Sequence, residues 1–448
     1  MDRFFHSVTL DKDKCVGCTN CIKRCPTQAI RVRGGKAQII SERCIDCGEC
    51  VRVCPHHAKK ARHDSLSMLE NFKWKVAIPA PALYGQFNHL DDIDVVLTGL
   101  LEMGFDQVFE VSRAAEIVSD ATRQLLADGK LKKPVISSAC PTVVRLIRVR
   151  FPDLCEHVLP LKAPMEVAAM LAREAAVQET GYPPGEIGVF FLSPCAAKVT
   201  DVRVPIGVDR SNVDGVLAIS DIYPRLLGRM NHLKHTEALS HSGIIGVSWS
   251  SIGGEAAGLL NENHLAADGI DNVIKVLEEL EDEKLQELDF IELNACAGGC
   301  VGGIFTAENG YVARARIQRL RKYLPVSCNR LEDAGAAWRL EWTERLEFAP
   351  VMKLAENVEE AMRLMQEIDR IGERLPGLDC GSCGAPTCRA LAEDVVRGLA
   401  QETDCIFLMR RQIQQIATQL SRIEGFVPPE GDMPDVRMSG KDKGEGQV

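Results

Sequence analysis

Eighteen of the 448 residues are cysteine, and they fall in three zones. Eight lie between residues 15 and 54, four between 380 and 405, and six at 140, 155, 195, 296, 300 and 328. Thiolates are soft metal ligands, but only a pattern that lets several reach one centre makes a site. Cys15, Cys18, Cys21 and Cys25 precede Pro26, and Cys44, Cys47, Cys50 and Cys54 precede Pro55, a doubled CxxCxxCxxxCP. Three thiolates at CxxCxxC spacing wrap three corners of an iron-sulfur cubane, and the fourth ligand must come from elsewhere. Zinc sites rarely use evenly spaced cysteines ending in proline.

Residues 8 to 58 thus resemble bacterial two-cluster ferredoxins, in which the fourth cysteine of each run serves the other cluster. That resemblance implies one 4Fe-4S cluster on Cys15, Cys18, Cys21 and Cys54, and a second on Cys44, Cys47, Cys50 and Cys25. The segment would conduct electrons and break no bonds itself.

The middle cysteines stand in SSACPTVVRL around Cys140, LSPCAAKVTD around Cys195, and ELNACAGGCVGGI around Cys296 and Cys300. In order and approximate spacing these resemble the TSCCPxW, MPCxxKxxE and ExMACxGGCxxGG motifs of the iron-only (FeFe) hydrogenases. The resemblance implies an H-cluster, a cubane joined to a diiron unit carrying carbonyl, cyanide and azadithiolate ligands. Cys140, Cys195 and Cys296 would ligate the cubane, and Cys300 would also bridge to the diiron unit. Lys198 matches the lysine that donates to a cyanide nitrogen. Ala80 and Pro81, in VAIPAPAL, match the strand end that packs over the other cyanide.

The departures matter as much. The family's proton-passing cysteine is replaced by Ala139, and two methionines near the diiron unit are replaced by Ser193 and Asn294. The usual relay glutamate aligns near Ala121. The conventional proton path is cut, and a general acid or base must lie within hydrogen-bond reach of what it serves. Glu292, four residues before Cys296, and Glu255, in GGEAAG, are the candidates, with a purely structural carboxylate as the alternative for each. The substitutions resemble the sensory branch of the family, some of whose members carry a C-terminal PAS domain that this chain lacks.

Cys380, Cys383, Cys388 and Cys405 lie in LDCGSCGAPTCRALAEDVVRGLAQETDC. This resembles the four-cysteine 4Fe-4S module of corrinoid proteins and sensory-type hydrogenases, and implies a further cluster. Cys155 and Cys328 are left over and read as small buried hydrophobes.

Elements must carry these residues to one another. Between 75 and 350, VAIPAPAL, FDQVFEVS, KPVISSAC, GEIGVFFLSPC and LDFIELNACAGGC read as strands, with helical periodicity at 92 to 103 and 164 to 179. Strands alternating with helices give α/β architecture with parallel sheet, and several strands end on a cysteine, where such folds gather ligands. The fold class is α/β, a two-lobed H-cluster domain with an α+β ferredoxin domain before it and a mostly α 4Fe-4S domain after it. Expected boundaries are 1 to 60 for the ferredoxin domain, 61 to 74 for a linker, 75 to 350 for the H-cluster domain, 351 to 425 for the C-terminal domain and 426 to 448 for a disordered tail. Residues 351 to 372 read as a linking helix. From 405 to about 424 the residues Ile406, Met409, Ile413, Ile416, Leu420 and Ile423 keep heptad spacing, which suits either packing on its own domain or a homodimer contact.

Net charge is -10, with 46% hydrophobic and 26% charged residues, which disfavours a general nucleic-acid binder. No apolar run approaches the roughly 18 residues of a membrane span, and the N-terminus reads as neither secretory signal nor twin-arginine leader, so a cytoplasmic location is expected. The substrates would be H2 and protons, and the partner ferredoxin or a signalling protein. Three functions fit: a slow hydrogenase used as a hydrogen or redox sensor, an ordinary catalytic hydrogenase exchanging electrons with ferredoxin, and an electron carrier or iron-sulfur scaffold without the diiron unit.

Overall fold

The computed structural model describes residues 5–331 and 334–424; the expected tail, 426–448, lies outside them. Near the N-terminus, β1 (Val8–Leu10), β2 (Ile30–Arg33), β3 (Lys36–Ile39) and β4 (Lys59–Ala61) form two antiparallel pairs, β1 with β4 and β2 with β3. Short helices Asn20–Lys23 and Glu49–Arg52 carry Cys21 and Cys50. The pairs close over a core of Val8, Ile22, Ile30, Ala37 and Ala58 that includes the cysteines themselves. So small a core stabilises the unit only marginally, and bound metal is one common remedy.

Seven parallel strands follow: β5 (Trp74–Pro79), β6 (Gln107–Val108), β7 (Val135–Ile136), β8 (Ile187–Ser193), β9 (Gly215–Ala218), β10 (His264–Asp268) and β11 (Phe290–Asn294). They make two sheets, ordered β6-β5-β8-β9 and β10-β11-β7. β8 is buried at every residue, as a strand covered by helices on both faces must be. Each of its fully buried large apolar side chains contributes about 1.5–3 kcal/mol. Helix Pro164–Thr180 starts on proline, ends on left-handed Gly181, and packs on β5 and β8; helix Val111–Ala127 packs against it. The five expected strands are all present. β9 and β10 were not foreseen, because each is short and lies beside stronger helical patterns.

Between β4 and β5 the chain is tied to the first sheet: Asp64 N–H donates to the Val216 carbonyl, and Val216 N–H returns a bond to the Asp64 carboxylate. The linking helix expected from 351 begins only at Val358, because Asn357 caps it by accepting the Glu360 N–H at 2.7 Å. It runs to Arg374 and packs with helix Cys388–Val396 around Ile368, Ile371, Leu375 and Leu391.

This last unit sits on the ferredoxin hairpin. Arg31 Nε and Arg33 Nη2 both donate to Asp394 Oδ2 at 2.6 Å, and Arg43 reaches Glu393 at 2.6 Å. Val32 N–H donates to the Gly384 carbonyl at 2.8 Å, where a Cβ on Gly384 would lie 1.9 Å from the Val32 oxygen. Helix Ile406–Glu424 extends beyond the unit, and Ile406, Met409, Ile413, Ile416 and Leu420 are 42–59% exposed. Packing of that seam on its own domain is not what these residues do; the Ile423 side chain lies outside the described residues.

Candidate functional site: four cysteine sets

The strand ends of both sheets converge. β5 runs into Ala80 and Pro81, β7 into Ala139 and Cys140, β8 into Pro194 and Cys195, and β11 into Ala295 and Cys296, and all eight line one cavity. Cys300, Lys198, Glu255, Glu292 and Asn294 complete its wall. Cys140 caps helix Pro141–Arg150 and Cys195 caps helix Ala196–Arg203, so two helix N-termini aim their positive ends at a site for an anionic cofactor. Glycine makes the closure: Gly299 has φ 92° and packs on the Ser251–Ile252 backbone, and a Cβ on Gly303 would lie 2.0 Å from the Pro194 oxygen.

The donor set suits a metal cluster. Burial, with the neighbouring cysteines, pushes the Cys195 thiol up to about 12, and burial pushes Cys296 up to about 11. Cys300 is driven upward by the same causes. Cys195, Cys296 and Cys300, which resist ionising alone, become good thiolate ligands once shared iron supplies the positive charge. Lys198, with its side chain 12% exposed, faces this group and lies 3.6 Å from Asp201.

Ser193 departs from expectation. It is fully buried but outside the cavity wall, and its hydroxyl accepts the Cys195 N–H at 3.0 Å, so it shapes the cysteine's loop. Asn294 does face the cavity and donates to Glu292 at 3.0 Å.

Both candidate acids are buried in the wall. Burial, reinforced by Glu292, holds the Glu255 carboxyl well above the usual range, and it accepts from the Ser137 hydroxyl at 2.7 Å. Ser137 in turn accepts the Ala139 N–H at 3.1 Å, which links Glu255 to the position where the family cysteine is missing. Burial pushes Glu292 up to about 7; its carboxylate also accepts the Gly253 and Ala256 N–H groups, holding the turn that carries Glu255. Ser137 could have been suspected from SSAC, being two residues before a candidate ligand.

The eight N-terminal cysteines gather in two groups. Cys15, Cys18, Cys21 and Cys54 line one small cavity. Cys47 lies among Cys25, Cys44 and Cys50, and burial with their charge drives its thiol upward. That second set abuts the deep site: Asp46 and Cys47 line the large cavity, and Arg52 donates to the Gly302 carbonyl at 2.7 Å. Asp46, missed in the sequence, accepts both the Ser7 and Val8 N–H groups and, at 2.5 Å, the Thr200 hydroxyl, pinning the ferredoxin loop to the helix that bears Lys198. No local pattern marks such a residue, because its partners are far away in sequence.

Cys380, Cys383, Cys388 and Cys405 line a third small cavity. Gly381 lies against Ile22 and Lys23, and the Cys383 carbonyl accepts from Arg33 at 2.9 Å, so this set backs onto the wall of the first ferredoxin set. Cys155 is half-buried in the core of the β7 lobe, but Cys328 is exposed, contrary to expectation, although its N–H donates to the buried Glu116.

Three parts of the chain match known families. Residues 7–55 match a 4Fe-4S dicluster domain, 375–407 an Fe-S cluster domain, and 73–237 and 229–304 the iron-only hydrogenase large subunit, C-terminal domain. The periplasmic Fe hydrogenase large subunit of Nitratidesulfovibrio vulgaris is 28% identical over 213 residues, 43% of this chain and 50% of that protein. The NADP-reducing hydrogenase subunit HndD of Solidesulfovibrio fructosivorans is 24% identical over 228 residues, 48% of this chain and 36% of that protein. The chain thus spans half or less of the length of these curated relatives. A solved structure of a variant of the FeFe-hydrogenase HydA1 from Chlamydomonas reinhardtii superposes with TM-score 0.48 at 16% identity, covering 62% of this chain and 95% of that one. Among the described residues no helix is long and apolar enough to cross a membrane. With more than half of its residues matched to that large-subunit domain, the chain belongs to the iron-only hydrogenase family.

Proposed function

We propose that the chain binds an H-cluster in the large cavity and splits or forms H2 there slowly, as a hydrogen or redox sensor. The observation that carries this is one wall holding Cys140, Cys195, Cys296, Cys300 and Lys198 together with two buried carboxyls, while position 139 is alanine. Cys140, Cys195 and Cys296 would hold the cubane, and Cys300 would hold both the cubane and the diiron unit. When bound, the diiron unit supplies the heterolytic chemistry of H2. Lys198 orients it by a charged hydrogen bond, and Ala80 and Pro81 exclude water from the opposite side. Glu255, kept protonated by burial, is the proton store, and Ser137 is the hydroxyl that connects it toward position 139. Glu292 positions Glu255 by gripping its turn.

Clusters held by these sets would offer electrons a path in the order in which the sets adjoin: the deep site, the set of Cys25, Cys44, Cys47 and Cys50, the set of Cys15, Cys18, Cys21 and Cys54, and the C-terminal set. The outer terminus then lies beside the exposed seam of helix Ile406–Glu424, where ferredoxin, a signalling protein or a second copy in a homodimer would meet it. Clustered free thiols fit the reducing cytoplasm. The second reading, an ordinary catalytic hydrogenase, draws on the complete cysteine set.

The test is reduction of the loaded protein by H2, followed by electron paramagnetic resonance of its cubanes. Signals growing slowly under H2 alone are expected. Cubanes that stay oxidised under H2 but accept electrons from dithionite would leave only the scaffold reading.

A further inference from the structure

The two halves of the ferredoxin unit match around their last cysteines. Cys25 accepts the Ala29 N–H at 3.2 Å and Cys54 the Ala58 N–H at 3.3 Å; Gln28 and His57 both take positive φ, 51° and 47°. The next position breaks the match. Ile30, five residues after Cys25, is 2% exposed in the small core; its counterpart five residues after Cys54 is Lys59, 3% exposed.

A lysine this deep requires a counter-charge. Lys59 Nζ is buried and has no hydrogen-bond partner among the described residues, nor any carboxylate within ion-pair distance. It lines the cavity of Cys15, Cys18, Cys21 and Cys54, and its charge also acts on Cys50 of the other set. The ammonium therefore faces sulfurs of both sets, with no hydrogen-bond partner beside it among the described residues.

We infer that Lys59 is the internal counter-ion of the two ferredoxin clusters and raises both of their reduction potentials. The inference rests on reading the first sixty residues as a two-cluster unit. A cubane held by four thiolates is a net anion and becomes more negative when reduced. A fixed cation at short range in a low-dielectric interior stabilises the reduced form more than the oxidised one. Facing both clusters, one ammonium lifts both and eases the repulsion met by a second electron. An electron leaving the deep site is thus held more firmly here than in a repeat with isoleucine at both positions.

The test is a redox titration of the full loaded chain, monitored by electron paramagnetic resonance, in the native protein and in Lys59→Met and Lys59→Arg. Both ferredoxin midpoints should fall in Lys59→Met, stay near native in Lys59→Arg, and leave the C-terminal cluster's midpoint unmoved in each. A fully loaded Lys59→Met protein with native midpoints overturns the inference, as does an equal shift of all clusters. If Lys59→Met loses the ferredoxin irons, retention in Lys59→Arg supports the counter-ion role, and loss in both variants refutes it in favour of packing. A native chain without ferredoxin-type signals would instead defeat the two-cluster reading.

Discussion

At residue 139 the family's proton-passing cysteine is absent, yet a carboxyl stands one hydroxyl away, through Ser137 to Glu255. If that carboxyl serves the reaction, Glu255→Gln should lower H2 turnover by roughly 10²-fold, the usual scale of general acid-base catalysis. Isotope exchange between D2 and water would read the same loss. Ala139→Cys should raise turnover by roughly tenfold or more on that scale, since it restores a side chain that can pass a proton. Unchanged rates in both variants would mean that protons travel elsewhere. Glu292 predicts a pH effect on stability. Its folded value is about 7 against an ordinary 4.5, so between those values the folded chain keeps a proton that the unfolded chain has released. Stability from this group is complete below 4.5 and falls as pH rises through 7. Denaturant midpoints across that window should decline more steeply in the native protein than in Glu292→Gln; equal slopes would show that burial does not hold the proton.

At the level of elements, sequence reading succeeded where a signal is local. Doubled cysteine runs, the five expected strands and the helix from 406 all rest on spacing within a few residues. It failed where the cause is tertiary. Ser193 serves a loop because its hydroxyl finds the Cys195 N–H, and Asn357 delays a helix that periodicity alone would start earlier. The Arg31–Asp394–Arg33 lock joins residues more than 360 positions apart and could not be read from either end. The Asp394 side chain is 5% exposed, and removing one member of a buried ion network typically costs about 3–5 kcal/mol. Asp394→Ala should therefore release the C-terminal unit from the ferredoxin hairpin, seen as faster proteolysis between 341 and 357 and a separate low-temperature melting step. A single native-like transition would show that the remaining contacts suffice.

Across the whole molecule, the deep cavity, both ferredoxin sets and the C-terminal set adjoin in one sequence, stitched by Arg52, Asp46 and the hairpin lock. Four cubanes account for about 16 irons and the diiron unit would bring the count to about 18, a difference that iron analysis alone resolves poorly. Infrared spectroscopy of the protein loaded with its cofactors asks directly whether the cavity binds a diiron unit. Metal-bound carbonyl and cyanide bands are expected in the native chain, and their loss in Cys300→Ser. A native protein with its cubanes in place but no such bands, or a Cys300→Ser protein that keeps them, would overturn the assignment of this cavity to an H-cluster.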